Sequence, residues 1–321
     1  MPHERPVILH NTAEDITRAA KMLHDGDLVA MPTETVYGLA ADACNDTACA
    51  RIFEAKGRPH FNPLIVHLPD MDAVERIAVM NDAAHALAKA FWPGPLTLVL
   101  PLRDGHGLSP LVSAGLDTVA IRMPAHPAAQ ALLRDFGGPV AAPSANPSGR
   151  ISPTTAAHVK DGLGSKLAAI LDGGPCTVGL ESTILAPDPH GARLLREGGI
   201  AREGIERLTG PLATDTTPGK VQAPGQLSSH YAPRVAVQLN SDLSEASAVR
   251  VAFGAKGSAD FTLSESSDLI EAAANLFALL HAADALAHKA GRDKIAFAPV
   301  PETGLGRAIN DRLRRAAAPR V

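Results

Sequence analysis

Hydrophobic residues recur along the first two thirds of the chain with two spacings, which predict alternating helices and buried strands. The first helix carries its apolar stripe at Ile16, Ala19, Ala20 and Leu23. Thr12 stands at the position of an N-cap, with Asp15 three residues later, and Gly26 follows the stripe as a stop signal. We therefore predict a helix between Thr12 and Gly26, followed by a buried strand at 28–31 that ends at Pro32.

The same patterns continue as far as residue 209. They predict helices at 47–56 and 82–90, and strands at 64–68, 96–100, 118–122, 168–171, 182–185 and 192–196. Ser152 followed by Pro153 resembles an N-cap with proline at the first helical position, so we predict that another helix begins there. Helices and strands that alternate in this way are typical of an α/β domain, which we assign to residues 1–209.

The pattern changes between residues 210 and 233. This segment is rich in Thr, Pro and Gly and has no apolar periodicity, so we predict a long linker. Beyond it, the sequence predicts strands at 235–239, 249–253 and 294–298, and helices at 268–289 and 307–317. We assign residues 234–321 to a smaller, Rossmann-like α/β domain. It lacks a GxGxxG motif, so we infer no dinucleotide site there.

Composition narrows the class of protein. The 321 residues are 45% hydrophobic and carry a formal net charge of −4, as in an ordinary globular protein. This charge gives no overall attraction to nucleic acid, and 3% aromatic residues do not suggest a base-stacking platform. The 3 cysteines form no CxxC pair, which indicates a reducing, cytoplasmic compartment. The N-terminus shows no signal segment, and we expect no apolar run to cross a membrane.

The segment 56–67 holds the most informative group of residues. Lys56 and Arg58 flank Gly57, and Pro59 prevents the helix from continuing. Two cations on a rigid turn suit an anion with several oxygens, such as a triphosphate. The alternative is a helix C-terminus that carries basic residues because the helix dipole favours them. Taken alone, the segment favours this alternative.

Other turn-rich segments place polar side chains at predicted strand ends, where α/β sheets usually bind ligands: 32–39, 140–149, 179–199 and 224–233. Each has a structural alternative. Threonine hydroxyls often cap turns, a lone histidine such as His67 is usually structural, and charges beside glycine, such as Arg196, are usually solvated. The pair His230 and Tyr231 is unusual for a bare linker, so we predict that it docks onto the folded chain.

Several common catalytic arrangements are absent from the sequence. It contains no GxxxxGK[ST] loop, no kinase signature and no GxSxG elbow. No histidine, cysteine or carboxylate set has metal-ligand spacing, so we predict no zinc site. An ATP site in this chain must therefore use dispersed contacts.

Taken together, these segments resemble the YrdC-type threonylcarbamoyl-AMP synthases in their long two-domain form. The shared segments keep their order and spacing: Pro32-Thr33-Glu34-Thr35-Val36-Tyr37-Gly38-Leu39, Lys56-Gly57-Arg58-Pro59, Asn62-Pro63-Leu64, Arg122-Met123-Pro124, Pro143-Ser144-Ala145-Asn146-Pro147-Ser148-Gly149, Glu181-Ser182-Thr183, Arg196-Glu197-Gly198 and His230-Tyr231-Ala232-Pro233. The resemblance spans residues 11–233, and Gln226 stands where the family more often has Met. It implies a twisted, mixed α/β sheet with a concave, positively charged face, and a linker that closes over the active site.

The resemblance implies a nucleotidyltransferase reaction. L-threonine, bicarbonate and ATP, accompanied by Mg²⁺, would give threonylcarbamoyl-AMP and pyrophosphate. A separate transferase machinery would then use this product to modify tRNA with threonylcarbamoyladenosine. A carbamate formed from bicarbonate and the threonine amine would attack the α-phosphorus, a displacement that needs positioning and charge neutralisation rather than a protein nucleophile.

The resemblance also implies a role for particular residues. Lys56 and Arg58 would be the catalytic residues that hold the phosphates. The ATP site would comprise Arg58, Asn62, Thr118, Ser144, Ser152, Arg196 and Tyr231. The threonine site would comprise Thr35, His67, Arg122, Ala142 and Ser182. Arg122 is suited to a bidentate contact with the threonine carboxylate, and no protein-held metal is implied.

Two other functions fit less of the sequence. A double-stranded RNA-binding or ribosome-maturation module would use the basic concave face, but the net charge and the scarce aromatic residues count against it. A carbamoyl-adenylate activity like that of YrdC-like domains in hydrogenase maturation proteins would come with zinc-finger-type and acylphosphatase-type regions, which this sequence lacks. Direct contact with tRNA or double-stranded RNA is compatible with the synthase activity but not required by it.

Overall fold

The larger part of the chain is built on one long mixed sheet. The computed structural model describes residues 6–59, 62–189, 191–214 and 230–319. Within them the sheet has eleven strands, β1 to β11: Val7–His10, Val29–Met31, Gly38–Asp42, Ile65–His67, Leu96–Pro101, Thr118–Arg122, Val140–Ala141, Ala169–Asp172, Thr183–Asp188, Gly191–Arg196 and Ala213–Thr214. They lie in the order β1-β8-β2-β3-β7-β4-β6-β5-β9-β10-β11. Since β4 is parallel to β6 while β5 is antiparallel to it, the sheet is mixed, as expected.

Helices cover this sheet, and the sequence predicted four of them. The described residues form α1 to α8: Ala13–His24, Asp46–Lys56, Met71–Ile77, Asp82–Phe91, Pro110–Ser113, Pro127–Phe136, Ala156–Leu163 and Arg202–Thr209. The predicted ones are α1, α2, α4 and α7. Thr12 caps α1, and its side chain accepts a hydrogen bond from the backbone N–H of Asp15 at 3.2 Å. Helix α2 ends at Gly57, whose φ of 62° lies in the left-handed region that glycine tolerates best.

One prediction about local structure needs correction, and one central strand was not predicted. Helix α7 is capped by Thr155 and not by Ser152, because the Thr155 hydroxyl accepts the backbone N–H of His158 at 3.3 Å. Ser152 instead donates to a buried carboxylate of Glu181. Strand β3 was not predicted, because its mostly small residues have little strand preference of their own. Pairing with β2 and β7 makes it a strand.

Two apolar clusters lie on opposite faces of the large sheet. Leu39 and Ala40 are neighbours on β3 and belong to different clusters, as expected when side chains alternate along a strand. Helices α1 and α6 pack together over one face, where Leu132 is buried. Helix α2 covers the other face with Ile52 and Phe53. Burial on both faces holds the strand ends in fixed positions around the site described below.

The C-terminal part forms a smaller sheet of its own. Its strands β12 to β15 are Ala236–Gln238, Val249–Ala252, Phe261–Thr262 and Lys294–Phe297, and its helices α9 and α10 are Leu269–Ala290 and Gly306–Ala317. The strands lie in the order β12-β15-β13-β14 and all pairs are parallel. This arrangement confirms the small α/β domain expected from the sequence.

Helix α9 differs from the expectation that no apolar run of the chain is long enough to cross a membrane. Its most apolar 18-residue window has a mean hydropathy of 1.4, so by length and composition it qualifies as a membrane-spanning segment. The helix contributes Leu276, Phe277 and Leu280 to the core of the C-terminal sheet. Core helices pass the same composition test, and these buried side chains give α9 the packing of a core helix.

The C-terminal sheet and the large sheet meet beside the loop that precedes β9. Gly179 in this loop has a φ of 70°, and a Cβ there would lie 2.3 Å from the carbonyl oxygen of Ala274 on α9. On the same helix, Nε2 of His281 lies 3.2 Å from the backbone oxygen of Ser152. The close approach of this loop to α9 therefore requires glycine at position 179.

Residues 1–5 and 215–229, the latter including Gln226 and most of the predicted linker, lie outside the described residues, as do His60 and Phe61.

Candidate active site

A cavity that is open to solvent lies where strand ends of the large sheet meet the C-terminal part. Nine of the predicted site residues line it: Thr35, Arg58, His67, Arg122, Ala142, Ser144, Ser182, Arg196 and Tyr231. The remaining wall is formed by Thr33, Val36, Gly38, Ile65, Pro143, Glu181 and His230. Side chains from well-separated segments therefore share one pocket.

Lys56 is delivered to this region by the end of α2, but its side chain turns away from the cavity. Nζ donates hydrogen bonds of 2.5 Å to the carbonyl oxygens of Ser144 and Asn146. Burial, with the neighbouring charge of Arg58, lowers the pKa of Lys56 well below its ordinary value. Lys56 thus lies behind the wall and holds the turn at 144–146 in place.

Arg58 and Arg196 present two buried guanidinium groups to the cavity. Arg58 donates to the carbonyl oxygens of Asn62 at 3.4 Å and Pro63 at 3.0 Å. Arg196 donates to the backbone oxygen of Ser182 at 2.8 Å and to its hydroxyl at 3.1 Å. Burial, and for Arg58 also the charge of Arg196, lowers the pKa of each group to about 10. Both groups stay charged at neutral pH and repel each other, so an anion between them would be stabilising.

Arg122, at the end of β6, is held in a fixed plane. Nη2 forms an ion pair with Oε1 of Glu34 at 2.6 Å, and Nη1 donates to Oγ1 of Thr35 at 2.7 Å. Nε donates to the carbonyl oxygen of Gly94 at 3.2 Å. The parallel register of β4 and β6 sets His67 beside Arg122. The arginine is therefore pre-organised, although Glu34 already engages part of the fork that was expected to clamp a substrate carboxylate.

His67 and His230 line the cavity as neutral imidazoles. Burial, assisted by the charge of Arg122, lowers the pKa of His67 to about 3. Burial likewise lowers the pKa of His230 to about 3. A base with such a low pKa accepts a proton poorly at neutral pH. These rings therefore serve as neutral hydrogen-bonding groups and do not add to the positive charge.

Small residues in the cavity wall let a ligand approach the backbone there. A Cβ on Gly38 would lie 3.1 Å from the Cβ of Ala142, so this part of the wall has no room for larger side chains. The hydroxyls of Ser182 and Thr97 lie 2.7 Å apart, and both residues are buried. The Ser182 hydroxyl is thereby oriented while its residue faces the cavity.

Four predicted site residues do not belong to the cavity lining: Lys56, Asn62, Thr118 and Ser152. Asn62 is buried, and its Oδ1 has no hydrogen-bond partner among the described residues. Ser152 donates to Oε1 of Glu181 at 2.7 Å and so lies one contact behind the wall. Thr118 begins β6, about 13 Å from Arg122 by the rise of an extended strand. The part of these residues in ATP binding stays a prediction.

Tyr231 docks as the sequence led us to expect. It is 1% exposed, and its ring lies 5.3 Å from that of Phe277 on α9, centroid to centroid. Its φ of 63° is unusual for a bulky residue, so surrounding contacts must hold the backbone there. Burial raises the pKa of the phenol to about 12, which keeps it protonated at neutral pH.

Glu181 and Arg312 were not predicted as functional residues. Glu181 lines the cavity, and its Oε2 accepts a hydrogen bond of 3.1 Å from Nε of Arg312 on α10. A sequence signal for Arg312 did exist, because it occupies the same helical face as the buried Ile309, Leu313 and Ala316. An arginine on the apolar face of a helix indicates a buried partner, but the spacing does not identify that partner.

No group of three or more histidine, cysteine or acidic residues is arranged to hold a metal within the described parts of the chain.

Two family models match the chain. One, described as "Telomere recombination", matches residues 21–198, and the other, described as "Threonylcarbamoyl-AMP synthase, C-terminal domain", matches residues 200–318. The chain is 42% identical to the threonylcarbamoyl-AMP synthase of Bacillus subtilis (strain 168), over 95% of this chain and 94% of the relative. It is 40% identical to the protein of the same name from Pyrococcus abyssi, over 94% of each.

A solved structure extends this similarity to the whole fold. The crystal structure of P. abyssi Sua5 in complex with L-threonine matches with a TM-score of 0.87 and 38% sequence identity, over 97% of each chain. Both sheets are therefore included in the match, which confirms the fold class. By its sequence and its fold, the chain belongs to the threonylcarbamoyl-AMP synthase family in its long two-domain form, whose members are enzymes of the nucleotidyltransferase type.

Proposed function

We propose that this protein makes threonylcarbamoyl-AMP from L-threonine, bicarbonate and ATP, with release of pyrophosphate. The observation that carries the proposal is one cavity that combines an arginine pair with a separate arginine held beside a hydroxyl. Arg58 and Arg196 form the pair, and Arg122 stands beside Thr35. The P. abyssi relative was solved with L-threonine, which supports threonine as the amino-acid substrate.

The chemistry needs two steps. The amine of threonine and bicarbonate form a carbamate with loss of water. One carbamate oxygen then attacks the α-phosphorus of ATP, the bond to the bridging oxygen breaks, and pyrophosphate leaves with the electron pair. Mg²⁺ enters with ATP and shares the phosphate charge. Such a displacement depends on positioning and on neutralising negative charge.

The arginine pair suits the triphosphate. Arg58 and Arg196 are buried and charged, and the described hydrogen bonds of Arg58 go to backbone oxygens. Ser144, in the turn that Lys56 fixes, and Tyr231 complete the nucleotide wall. In this assignment Lys56 acts by holding the turn, while Asn62, Thr118 and Ser152 contribute from outside the cavity lining.

The group of residues around Arg122 suits threonine. Arg122 would bind the carboxylate with the N–H groups that Glu34 and Thr35 leave available. Ser182 and the neutral His67 supply hydrogen bonds to the amino acid or its carbamate, and Ala142 leaves space beside it. The low pKa of His67 argues against its acting as the base that removes a proton from the threonine amine.

We further propose a division of the chain into a catalytic domain at 1–209, a linker at 210–233 and a small domain at 234–321. The linker would close over the active site. The end of this linker supports the proposal, because His230 and Tyr231 line the cavity and are buried there.

The product would pass to the tRNA threonylcarbamoyl transferase machinery in the cytoplasm. Cys44, Cys49 and Cys176 are free thiols, which fits a reducing compartment. The relatives carry the name of the synthase, and they do not favour the RNA-binding alternative. Direct binding of tRNA is not needed for this role.

The test is an assay for pyrophosphate release with mass detection of the adenylate. We expect product when threonine, bicarbonate, ATP and Mg²⁺ are all present, and a loss of product when threonine or bicarbonate is omitted. Failure to form the adenylate in the complete mixture would refute the proposed function. Tight, steeply salt-dependent binding of duplex RNA without ATP turnover would support the alternative instead.

A further inference from the structure

The turn between β2 and β3 brings two threonine hydroxyls together in the wall of the cavity. Thr33 and Thr35 are both buried, and both line the cavity. Their Oγ1 atoms lie 2.8 Å apart. Oγ1 of Thr33 also lies 2.7 Å from the carbonyl oxygen of Val36, and Oγ1 of Thr35 accepts a hydrogen bond of 2.7 Å from Nη1 of Arg122. Three short contacts therefore join Arg122 to the backbone of this turn.

The chemical types of these groups decide where each proton lies. A carbonyl oxygen can only accept, so the contact with Val36 uses the proton of the Thr33 hydroxyl. A hydroxyl has one proton, so the contact between the two hydroxyls must use the proton of Thr35. The guanidinium of Arg122 has no acceptor and supplies its own proton. The hydrogen bonds therefore run in one direction, from Arg122 through Thr35 and Thr33 to the carbonyl oxygen of Val36.

This direction decides what the Thr35 hydroxyl can offer to a ligand. Its only proton is donated to Thr33, so a further partner of Thr35 must itself be a hydrogen-bond donor. Threonine has two groups that donate, the amine and the side-chain hydroxyl, whereas its carboxylate only accepts. Thr35 is therefore suited to the amine or the hydroxyl of the substrate, and its oxygen would repel the carboxylate.

We propose that Thr33 is a positioning residue for the amino-acid site. By accepting the proton of the Thr35 hydroxyl, it makes Thr35 an acceptor for the amine or the side-chain hydroxyl of threonine, while the neighbouring Arg122 attracts the carboxylate. Two groups only 2.7 Å apart thereby distinguish the donor groups of the substrate from its carboxylate. The inference rests on the proposed use of threonine. It goes beyond that function by assigning a role to Thr33, which was not among the predicted site residues.

The competing explanation is that Thr33 only shapes the turn. Its oxygen accepts the backbone N–H groups of Thr35 at 3.1 Å and of Val36 at 3.2 Å, as threonine hydroxyls often do in turns. A purely structural role would affect ATP as well as threonine, and it would not depend on the hydroxyl of Thr35. A role through Thr35 should affect threonine alone, and it should vanish once that hydroxyl is removed.

The first experiment is a double-mutant cycle of Thr33→Val and Thr35→Val, with calorimetry to measure the Kd for threonine and for ATP. We expect each single variant to raise the Kd for threonine about tenfold and to leave the Kd for ATP within about twofold. The double variant should bind threonine within about twofold of Thr35→Val, because Thr33 acts through a group that is then absent. Thr33→Ser keeps the hydroxyl and should stay within about twofold of the wild type.

The cycle decides between the two explanations. A double variant in which the two single losses multiply would overturn the inference, and so would an equal loss of ATP binding in Thr33→Val. Thr262→Val is the matched control. It makes the same change in the C-terminal sheet, where the hydroxyl donates to the backbone oxygen of Gly254 at 2.8 Å. It should change neither Kd, and a loss of threonine affinity in this control would also count against the inference.

The second experiment tests the direction of the hydrogen bonds with two analogues of threonine. L-α-aminobutyrate lacks the hydroxyl and β-hydroxybutyrate lacks the amine, while both keep the carboxylate. Ligand-observed NMR titration, which reaches weak affinities, gives the Kd of each for the wild type and for Thr35→Val. We expect only the ligands that carry the donor bound by Thr35, either the amine or the hydroxyl, to lose affinity in Thr35→Val. An equal loss for threonine and both analogues would show that Thr35 contacts the carboxylate, and it would overturn the inference.

Two further measurements keep the test decisive. Thermal unfolding separates loss of fold from loss of affinity. If Thr33→Val does not fold, Thr33→Cys takes its place in the cycle, because a thiol donates and accepts hydrogen bonds only weakly. If the wild type binds threonine but releases no pyrophosphate, the proposed function fails while the Kd values still test the role of Thr33. A wild type that binds no threonine would overturn both.

Discussion

Replacing Arg58 with methionine tests the arginine pair most directly. The substitution keeps an apolar stem of similar length and removes the charge. In the folded protein Arg58 donates two hydrogen bonds, to the carbonyl oxygens of Asn62 and Pro63. Its loss leaves those oxygens without that donor, but it also removes a buried cation that Arg196 repels. Because these effects oppose each other, we expect the free energy of unfolding to change by less than about 2 kcal/mol.

ATP binding should suffer far more than stability. Removing one partner of a buried, hydrogen-bonded charge pair costs about 2–5 kcal/mol. At about 1.4 kcal/mol for each factor of ten, this corresponds to a loss of roughly 30-fold to several-thousand-fold in kcat/KM for ATP. Arg196 would then face the triphosphate alone. The size of the expected effect follows from the burial of Arg58, since an exposed cation would be screened by solvent.

The assay is initial-rate pyrophosphate release over a range of ATP concentrations at saturating threonine and bicarbonate. Arg51→Met is the matched control. Arg51 lies on α2, the helix that ends two residues before Arg58, but it is 49% exposed and donates to the carbonyl oxygen of Gly26, away from the cavity. A kcat/KM for ATP within threefold of the wild type in Arg58→Met would remove Arg58 from the site. A large loss in the control would show that the helix, and not the charge, is responsible.

Two other predictions follow from residues at the rim and in the wall. Tyr231→Ala should weaken ATP binding about tenfold and lower the Tm, because the ring packs on Phe277 and Arg312, whereas Tyr231→Phe should retain most of the affinity. If ATP affinity is unaltered in Tyr231→Ala, the connector is only a tether. The second concerns His67, whose pKa is about 3 in the folded state and near 6.5 when unfolded. Between these two pKa values the unfolded state binds a proton that the folded state does not. The contribution of His67 to the free energy of unfolding is therefore full above pH 6.5 and falls as the pH drops towards 3. Between pH 7 and pH 5, the free energy of unfolding of His67→Gln should fall by roughly 2 kcal/mol less than that of the wild type. Urea unfolding at the two pH values measures this, and equal losses would contradict a depressed pKa.

Local signals in the sequence predicted most of the helices and strands. Thr12 and Asp15 marked the start of α1, and Gly57 marked the end of α2. These features depend on hydrogen bonds and backbone angles within a few residues, so they can be recognised without knowing the fold. Where the local signal was weak, prediction failed. Strand β3 consists mostly of small residues. Ser152 is a residue type that often caps helices, but its hydroxyl donates a hydrogen bond to Glu181 instead.

The order of the motifs also predicted much of the cavity. Thr35, His67, Arg122 and Arg196 follow or end strands, and strand ends meet in the fold. Their assembly into one wall was therefore foreseeable from the family resemblance. The direction of Lys56 was not, because a long side chain at a helix end can turn either to the ligand or to a neighbouring carbonyl. The turn at 144–146 offers two carbonyl oxygens, and Lys56 binds them.

The amino-acid order was thus enough to specify most of the elements, the family and the set of cations that suit a triphosphate. The burial of those cations, and the contact between Glu181 and Arg312, could be recognised only in the folded chain. These two residues are 131 positions apart, and no local pattern links them. Burial, repulsion between neighbouring arginines and the partner of a buried carboxylate all depend on which groups the fold brings together. For this reason the contact between α10 and the wall of the cavity became visible only in three dimensions.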